Sequence, residues 1–184
     1  MEIIKINKEH LEFVEKYAHY QDLGGYSNLA SNDLNKASRY DFQLTGLLGE
    51  LAFYLYRYGS YDKLRELLDH KYATLRPAGK GDDGFDDQVT HNGTTRFIDI
   101  KSSHVVNADK IPRLNLIVPE RELHQKMIYI AAFTIGETRN TVDEVALVGW
   151  AANEDIIKKW FYDPKKYCVP VFNLRNLSSL KKIL

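Results

Sequence analysis

The sequence predicts a mixed-sheet α/β domain. Three observations carry that expectation: helical apolar spacing early in the chain, an Asn-Gly turn between two extended runs in the middle, and strand-length apolar runs separated by short helices after it. Across residues 8–20, Leu11, Val14 and Tyr17 or Ala18 form a helical stripe. Residues 24–39, rich in Ser and Asn, read as a loop or short helical turns. From about 41 to 58, Leu44, Leu47, Leu48, Leu51 and Leu55 fall on one helical face, and Gly59 supplies the stop. Another short helix is expected over 61–70.

Residues 85–90 and 94–102 are extended runs joined by Asn92-Gly93, the strongest short hairpin signal. Further strands are expected at 114–118, 127–135, 142–151 and 169–173. Short helices are expected over 119–125, from the capping Asn153 to about 161, and at the C-terminal end.

At 184 residues, without internal repeat or linker, the chain is expected to form one domain over 1–184. Hydrophobic residues at 44% and charged residues at 27% are those of a globular protein, not a disordered or fibrous one. The longest apolar runs, such as 127–135, fall far short of the roughly 20 residues that span a bilayer, so no membrane partner is expected. The first residues, MEIIKINKEH, reach charges at once and do not read as a signal peptide. Cys168 is the single cysteine and cannot form an internal disulfide; it reads as small apolar filler. These features give the expectation of an intracellular, cytoplasmic location.

Net charge is zero, but its distribution is uneven. From Ile156 onward there are seven basic residues (Lys158, Lys159, Lys165, Lys166, Arg175, Lys181 and Lys182) against one acid, Asp163. Such a stretch is either a phosphate-contacting surface or a solvated basic face. The six histidines show no metal-ligand spacing.

The informative stretch is Gly81-Asp-Asp-Gly-Phe-Asp-Asp-Gln88 followed by Phe97-Ile-Asp-Ile-Lys-Ser-Ser103. With Asn92 and Gly93 as the turn, His91 pairs with Thr94, and stepping along both strands sets Asp86 opposite Asp99. Paired residues share a face, with Cβ atoms about 5 Å apart. Lys101 lies on that face too, while Ile98 and Ile100 point to the other. Asp87 pairs with Ile98 and faces away, and Asp82 and Asp83 precede the strand. Two opposed carboxylates at about 5 Å repel by roughly 3 kcal/mol at an effective dielectric of about 20. Lys101 offsets part of this, and a hard divalent cation would offset more. The spacing of the four acids is not that of a calcium EF-hand. Two readings stand: a cation site, or an acidic turn with an Asp-Lys pair on a solvated strand face.

Asp86 and the run Ile98-Asp99-Ile100-Lys101 resemble the signature of the PD-(D/E)XK nucleases, in which an Asp opens one strand and Asp/Glu-X-Lys lies on its partner. The upstream Gly46-Leu-Leu-Gly-Glu50-Leu-Ala52 looks like that superfamily's first helix, whose Glu often supplies a further metal ligand. The resemblance covers about 41–150, and Phe85 stands where the motif name has Pro. It implies a restriction-endonuclease-like mixed β-sheet core flanked by helices, with the chain ends serving substrate recognition or oligomerisation. It also implies a metal-dependent endonuclease hydrolysing phosphodiester bonds in DNA, using one or two Mg²⁺ (or Mn²⁺) ions. Catalysis then falls to Glu50, Asp86, Asp99 and Lys101, with the metal held by Glu50, Asp86, Asp99 and the backbone carbonyl of Ile100. Lys158, Lys159, Lys165, Lys166, Ser102 and Ser103 are the expected nucleic-acid contacts. A homodimer would suit the cutting of both strands. The competing expectations are a nuclease-fold nucleic-acid-binding or assembly protein without turnover, and a small-molecule enzyme using the same acidic cluster.

Overall fold

The computed structural model describes residues 1–23, 39–73, 85–91, 93–157, 161–163 and 166–183. The expected loop at 24–39 therefore lies almost wholly outside the described residues, as do Asp82 and Asp83. In chain order the elements are β1 (Glu2–Lys5), α1 (Lys8–Leu23), α2 (Arg39–Tyr58), α3 (Asp62–Ala73), β2 (Asp87–His91), β3 (Thr94–Val105) and β4 (Asn115–Pro119). They continue with β5 (Met127–Gly136), β6 (Val142–Ala152), α4 (Asn153–Ile157), β7 (Phe161–Asp163), β8 (Lys166–Pro170) and α5 (Leu177–Leu180). Short 3-10 turns occupy Ala108–Arg113, Glu120–Glu122 and Val171–Asn173.

Among the described residues, five strands form a mixed sheet in the order β1-β6-β5-β3-β2, and three form a second sheet in the order β4-β8-β7. In the first sheet β3 and β5 run parallel and every other pairing is antiparallel. Parallel neighbours cannot be joined by a tight turn. The chain leaving β3 accordingly passes through β4, in the second sheet, and returns beside the start of β3, where Met127 pairs with Phe97 and Tyr129 with Asp99.

Both faces of the first sheet are covered, which explains why β5 is a continuous apolar run instead of an alternating one. Ile128, Ile130 and Ala132 pack with the leucines of α2 on one face; Tyr129, Ala131 and Phe133 pack with Leu116, Val118 and Val169 of the second sheet on the other. Leu44, Leu47, Leu48 and Leu51 are almost completely buried. Burying them contributes roughly 1.5–3 kcal/mol each before entropy is counted. Gly59 ends α2 with φ at +73°, the left-handed position that favours glycine at a helix stop.

Several expectations need correction. The helix foreseen at 119–125 is a single 3-10 turn, because the Tyr129 hydroxyl takes both the Glu122 carbonyl and the His124 amide. The helix from Asn153 is described over Asn153–Ile157, residues 158–160 lie outside the described residues, and Phe161, expected at its end, pairs with Tyr167 in the second sheet. The strand foreseen at 169–173 starts earlier and ends at Pro170, which has no amide to extend the ladder; Val171–Asn173 turns away. β1 was not foreseen: it is a mostly exposed four-residue edge strand against β6. No helix among the described residues is long and apolar enough to cross a membrane.

α2 lies close against the sheet at Gly49, where an added Cβ would clash with the Ser102 hydroxyl oxygen and stand 3.3 Å from the Ala132 Cβ. That hydroxyl is buried, with no hydrogen-bond partner among the described residues. Ser102→Ala should therefore stabilise the fold, by about 1 kcal/mol, because it removes a desolvated unpaired group. Gly49→Ala should destabilise by about 1–3 kcal/mol from overpacking, and much of that loss should disappear in the Ser102→Ala background. Denaturant unfolding of the four-member cycle measures both effects.

Candidate acidic site at the end of the hairpin

The β2–β3 register is the one foreseen from the turn: His91 pairs with Thr94, Thr90 with Thr95, and Asp87 with Ile98. Gly93 takes φ at +75°, as a tight hairpin turn requires. The ladder ends at Asp87, however, so Asp86 is not a strand residue paired squarely with Asp99. Its amide donates to the Ile98 carbonyl at 2.8 Å, and its carboxylate Oδ2 accepts the Ile100 amide at 2.6 Å. A side chain thus takes the place of a backbone acceptor where β2 has run out. The N–H and C=O of one strand residue face the same neighbour, so the Ile100 carbonyl also faces this edge.

Glu50 and Tyr54 lie one helical turn apart on α2 and share a face. The Tyr54 hydroxyl donates to the Asp86 carbonyl at 2.9 Å, tying α2 to the end of the hairpin. Burial pushes the Tyr54 phenol far above its ordinary value, so it remains a donor. Asp86 is itself held well above the ordinary carboxylate range, first by burial and then by the charges of Glu50 and Asp99, against the opposing Ile100 amide and Lys101. The charges of Glu50 and Asp99 therefore both act on Asp86, where α2, the end of β2 and the middle of β3 converge.

Lys101 Nζ lies 2.7 Å from Asp99 Oδ2 and 2.6 Å from Glu122 Oε2. Burial alone would lower its pKa, but the Asp99 charge and hydrogen bonds to both carboxylates raise it above the ordinary lysine value. Lys101 is thus fully protonated near neutral pH. On the α2 side, Glu50, Asp86 and Phe85 help to line a cavity of about 330 Å³, closed by Lys63, Leu64 and Leu68 of α3.

Asp87 has a different environment from its neighbour. It is buried on the face toward α2 and α3, where Arg57 reaches it at 3.2 Å, the Tyr58 hydroxyl at 2.8 Å and Lys63 at 2.6 Å. The pair Asp86–Asp87 thus divides its work: one carboxylate is placed among like charges, the other is neutralised and ties the hairpin to the helices.

No known protein family, curated protein or solved structure matches this chain. The site is accordingly read from its own geometry.

Of the expected nucleic-acid contacts, Ser103 is exposed and shares the strand face of Asp99 and Lys101. Ser102 is a correction: its hydroxyl is buried against Gly49 of α2 and cannot meet a phosphate. Lys166 is exposed on β8, and Lys158, Lys159 and Lys165 lie outside the described residues. Sequence reasoning missed Glu122 and Tyr54. Tyr54 could have been found from its spacing to Glu50; Glu122 had no local signal, because only the return of the chain to β5 brings it to Lys101.

Among the described residues, no three His, Cys, Asp or Glu side chains are disposed as ligands of one metal ion as they stand. Asp86 is turned to the Ile100 amide and Asp99 to Lys101. The chemistry of the donors still suits a hard cation: three carboxylates, one of them held above its ordinary pKa by burial and by the other two, would be relieved by added positive charge.

The two adjacent aspartates should respond oppositely to substitution. A carboxyl whose pKa is raised on folding favours the fold at low pH and loses that contribution as pH rises through the folded value. Asp86→Asn, which keeps an acceptor for the Ile100 amide, should therefore raise Tm at pH 7 without added divalent cation, and the gain should shrink on acidification. Asp87→Asn should cost about 3 kcal/mol, since it leaves the half-buried Arg57 without its charge partner. Thermal melts between pH 4 and 8 separate the two.

Proposed function

We propose that this chain is a divalent-cation-dependent phosphodiesterase acting on DNA, of the PD-(D/E)XK, restriction-endonuclease-like kind. The observation that carries this reading is the convergence of Glu50, Asp86 and Asp99 on one end of the hairpin, with Lys101 held against Asp99. Such a cluster is costly for folding, and an anionic substrate would be repelled by it. Both costs are offset when positive charge enters between the carboxylates and a phosphate. Bound Mg²⁺ or Mn²⁺, held by Glu50, Asp86, Asp99 and the Ile100 carbonyl, would supply that charge and lower the pKa of a water.

The chain's own residues have distinct parts in this chemistry. Asp99 serves both the cation and the Lys101 ammonium. Lys101 is too strongly protonated to accept a proton near neutral pH, so it acts as a donor to oxygen, orienting water or meeting the charge that develops on the phosphate. Tyr54 fixes the backbone of Asp86 and thereby the angle at which that carboxylate enters the site. The cavity beside Glu50 and Asp86 lies on the α2 side of the cluster. Ser103, exposed beyond Lys101, is placed to meet a flanking phosphate.

The test is incubation of the purified protein with supercoiled, linear, single-stranded and branched DNA, with and without Mg²⁺ or Mn²⁺. Cleavage should require the divalent ion and stop with a chelator. Lys101→Ala should lower the rate by at least about a hundredfold, the usual loss on removing one such donor. Undiminished cleavage by that variant would sink the assignment. Binding of nucleic acid without cleavage under either ion would favour a nuclease-fold binding protein instead.

A further inference from the structure

We propose that Glu122 is a positioning residue for Lys101, holding its ammonium in the orientation in which it serves the carboxylate cluster. The inference rests on the phosphodiesterase reading above, and on a geometry that stands apart from it. The Glu122 carboxylate, carried by the turn before β5, meets Lys101 Nζ at 2.6 Å, while Asp99 of β3 meets the same nitrogen at 2.7 Å. A lysine side chain has four rotatable bonds and much rotamer freedom to lose; contact with Asp99 alone would leave it able to swing about a single bond partner. Two carboxylates fix its direction.

The turn bearing Glu122 is itself fastened. The Tyr129 hydroxyl donates to the Glu122 carbonyl at 2.7 Å and accepts the His124 amide at 3.1 Å. Tyr129 is fully buried and is the β5 partner of Asp99 in the parallel ladder. Its phenol is pushed up to about 12, by burial first, so it stays a donor across the working pH range. Asp99, Lys101, Glu122 and Tyr129 thus form one connected unit, with its two ends on adjacent strands. An ordinary surface ion pair has no such support: the Lys101 and Glu122 side chains are only 23% and 30% exposed, and the backbone of one partner is held by a buried hydroxyl.

The role predicts effects that a merely structural ion pair would not give. Glu122→Ala should lower kcat by roughly ten- to a hundredfold, the loss expected for one charge-assisted hydrogen bond, with KM changed less than about threefold. Glu122→Gln, which keeps an acceptor, should recover part of kcat. Independently of any cleavage, Lys101 in the metal-free protein should be protected from amine acylation, read by peptide mass spectrometry. Glu122→Ala should expose it several-fold, and Tyr129→Phe, which frees the turn, should do so to a lesser degree. Circular dichroism checks that each variant is folded.

Unchanged Lys101 labelling in folded Glu122→Ala would overturn the clamp. Increased labelling with unchanged kcat would overturn the positioning role while leaving the phosphodiesterase reading intact. If the wild-type protein cleaves no nucleic acid, that reading fails and labelling alone decides whether Glu122 holds Lys101.

Discussion

The site depends on the leucine face of α2 being fixed to the sheet. Four leucines buried almost completely contribute roughly 1.5–3 kcal/mol each in gross terms. Repulsion among nearby carboxylates is worth roughly 3 kcal/mol per close pair at an intermediate dielectric. Packing is of the same order as that repulsion, so the helix stays in place beside Asp86, whose carboxyl is held above the ordinary range by burial first and then by the charges of Glu50 and Asp99. Gly49 matters for the same reason: a side chain there would clash with Ser102 and press α2, and Glu50 with it, away from β3.

Electrostatically the chain treats consecutive residues in opposite ways. Asp87 collects a guanidinium, an ammonium and a hydroxyl, and with them binds β2 to α2 and α3. Asp86, one residue earlier, is given an amide and a set of like charges. The difference comes from the pleat. Asp87 is the first ladder residue and must face the helices, whereas Asp86 has left the ladder and turns its carboxylate into the gap at its end. One carboxylate is neutralised and the next is left among like charges.

Much of this was legible in the sequence where the signal is local. The Asn-Gly turn fixes the register, the leucine spacing fixes the buried face of α2, and both together bring Glu50, Asp86 and Asp99 into one neighbourhood. Local signals lost force where long-range pairing decides. The square opposition of Asp86 to Asp99 was altered because a ladder's last pair is set by what lies beyond it. Ser102 looked available on a strand but is pressed against a helix glycine. β1 is too short and too exposed to show alternation, and the second sheet joins strands whose pairing no spacing rule announces. Glu122 belongs to this group, since its partner is reached only through the parallel crossover.

That crossover has a consequence for how the molecule comes together. The hairpin and the helices can form from near neighbours in the chain, but β3 cannot meet β5 until the intervening segment has closed its loop through the second sheet. Closures of this kind are the slow events of folding. The partner of Lys101 is delivered by that late event, so the acidic cluster and its ammonium reach their mutual arrangement only in the finished protein. A chain still folding carries Lys101 without the turn that brings Glu122 to it.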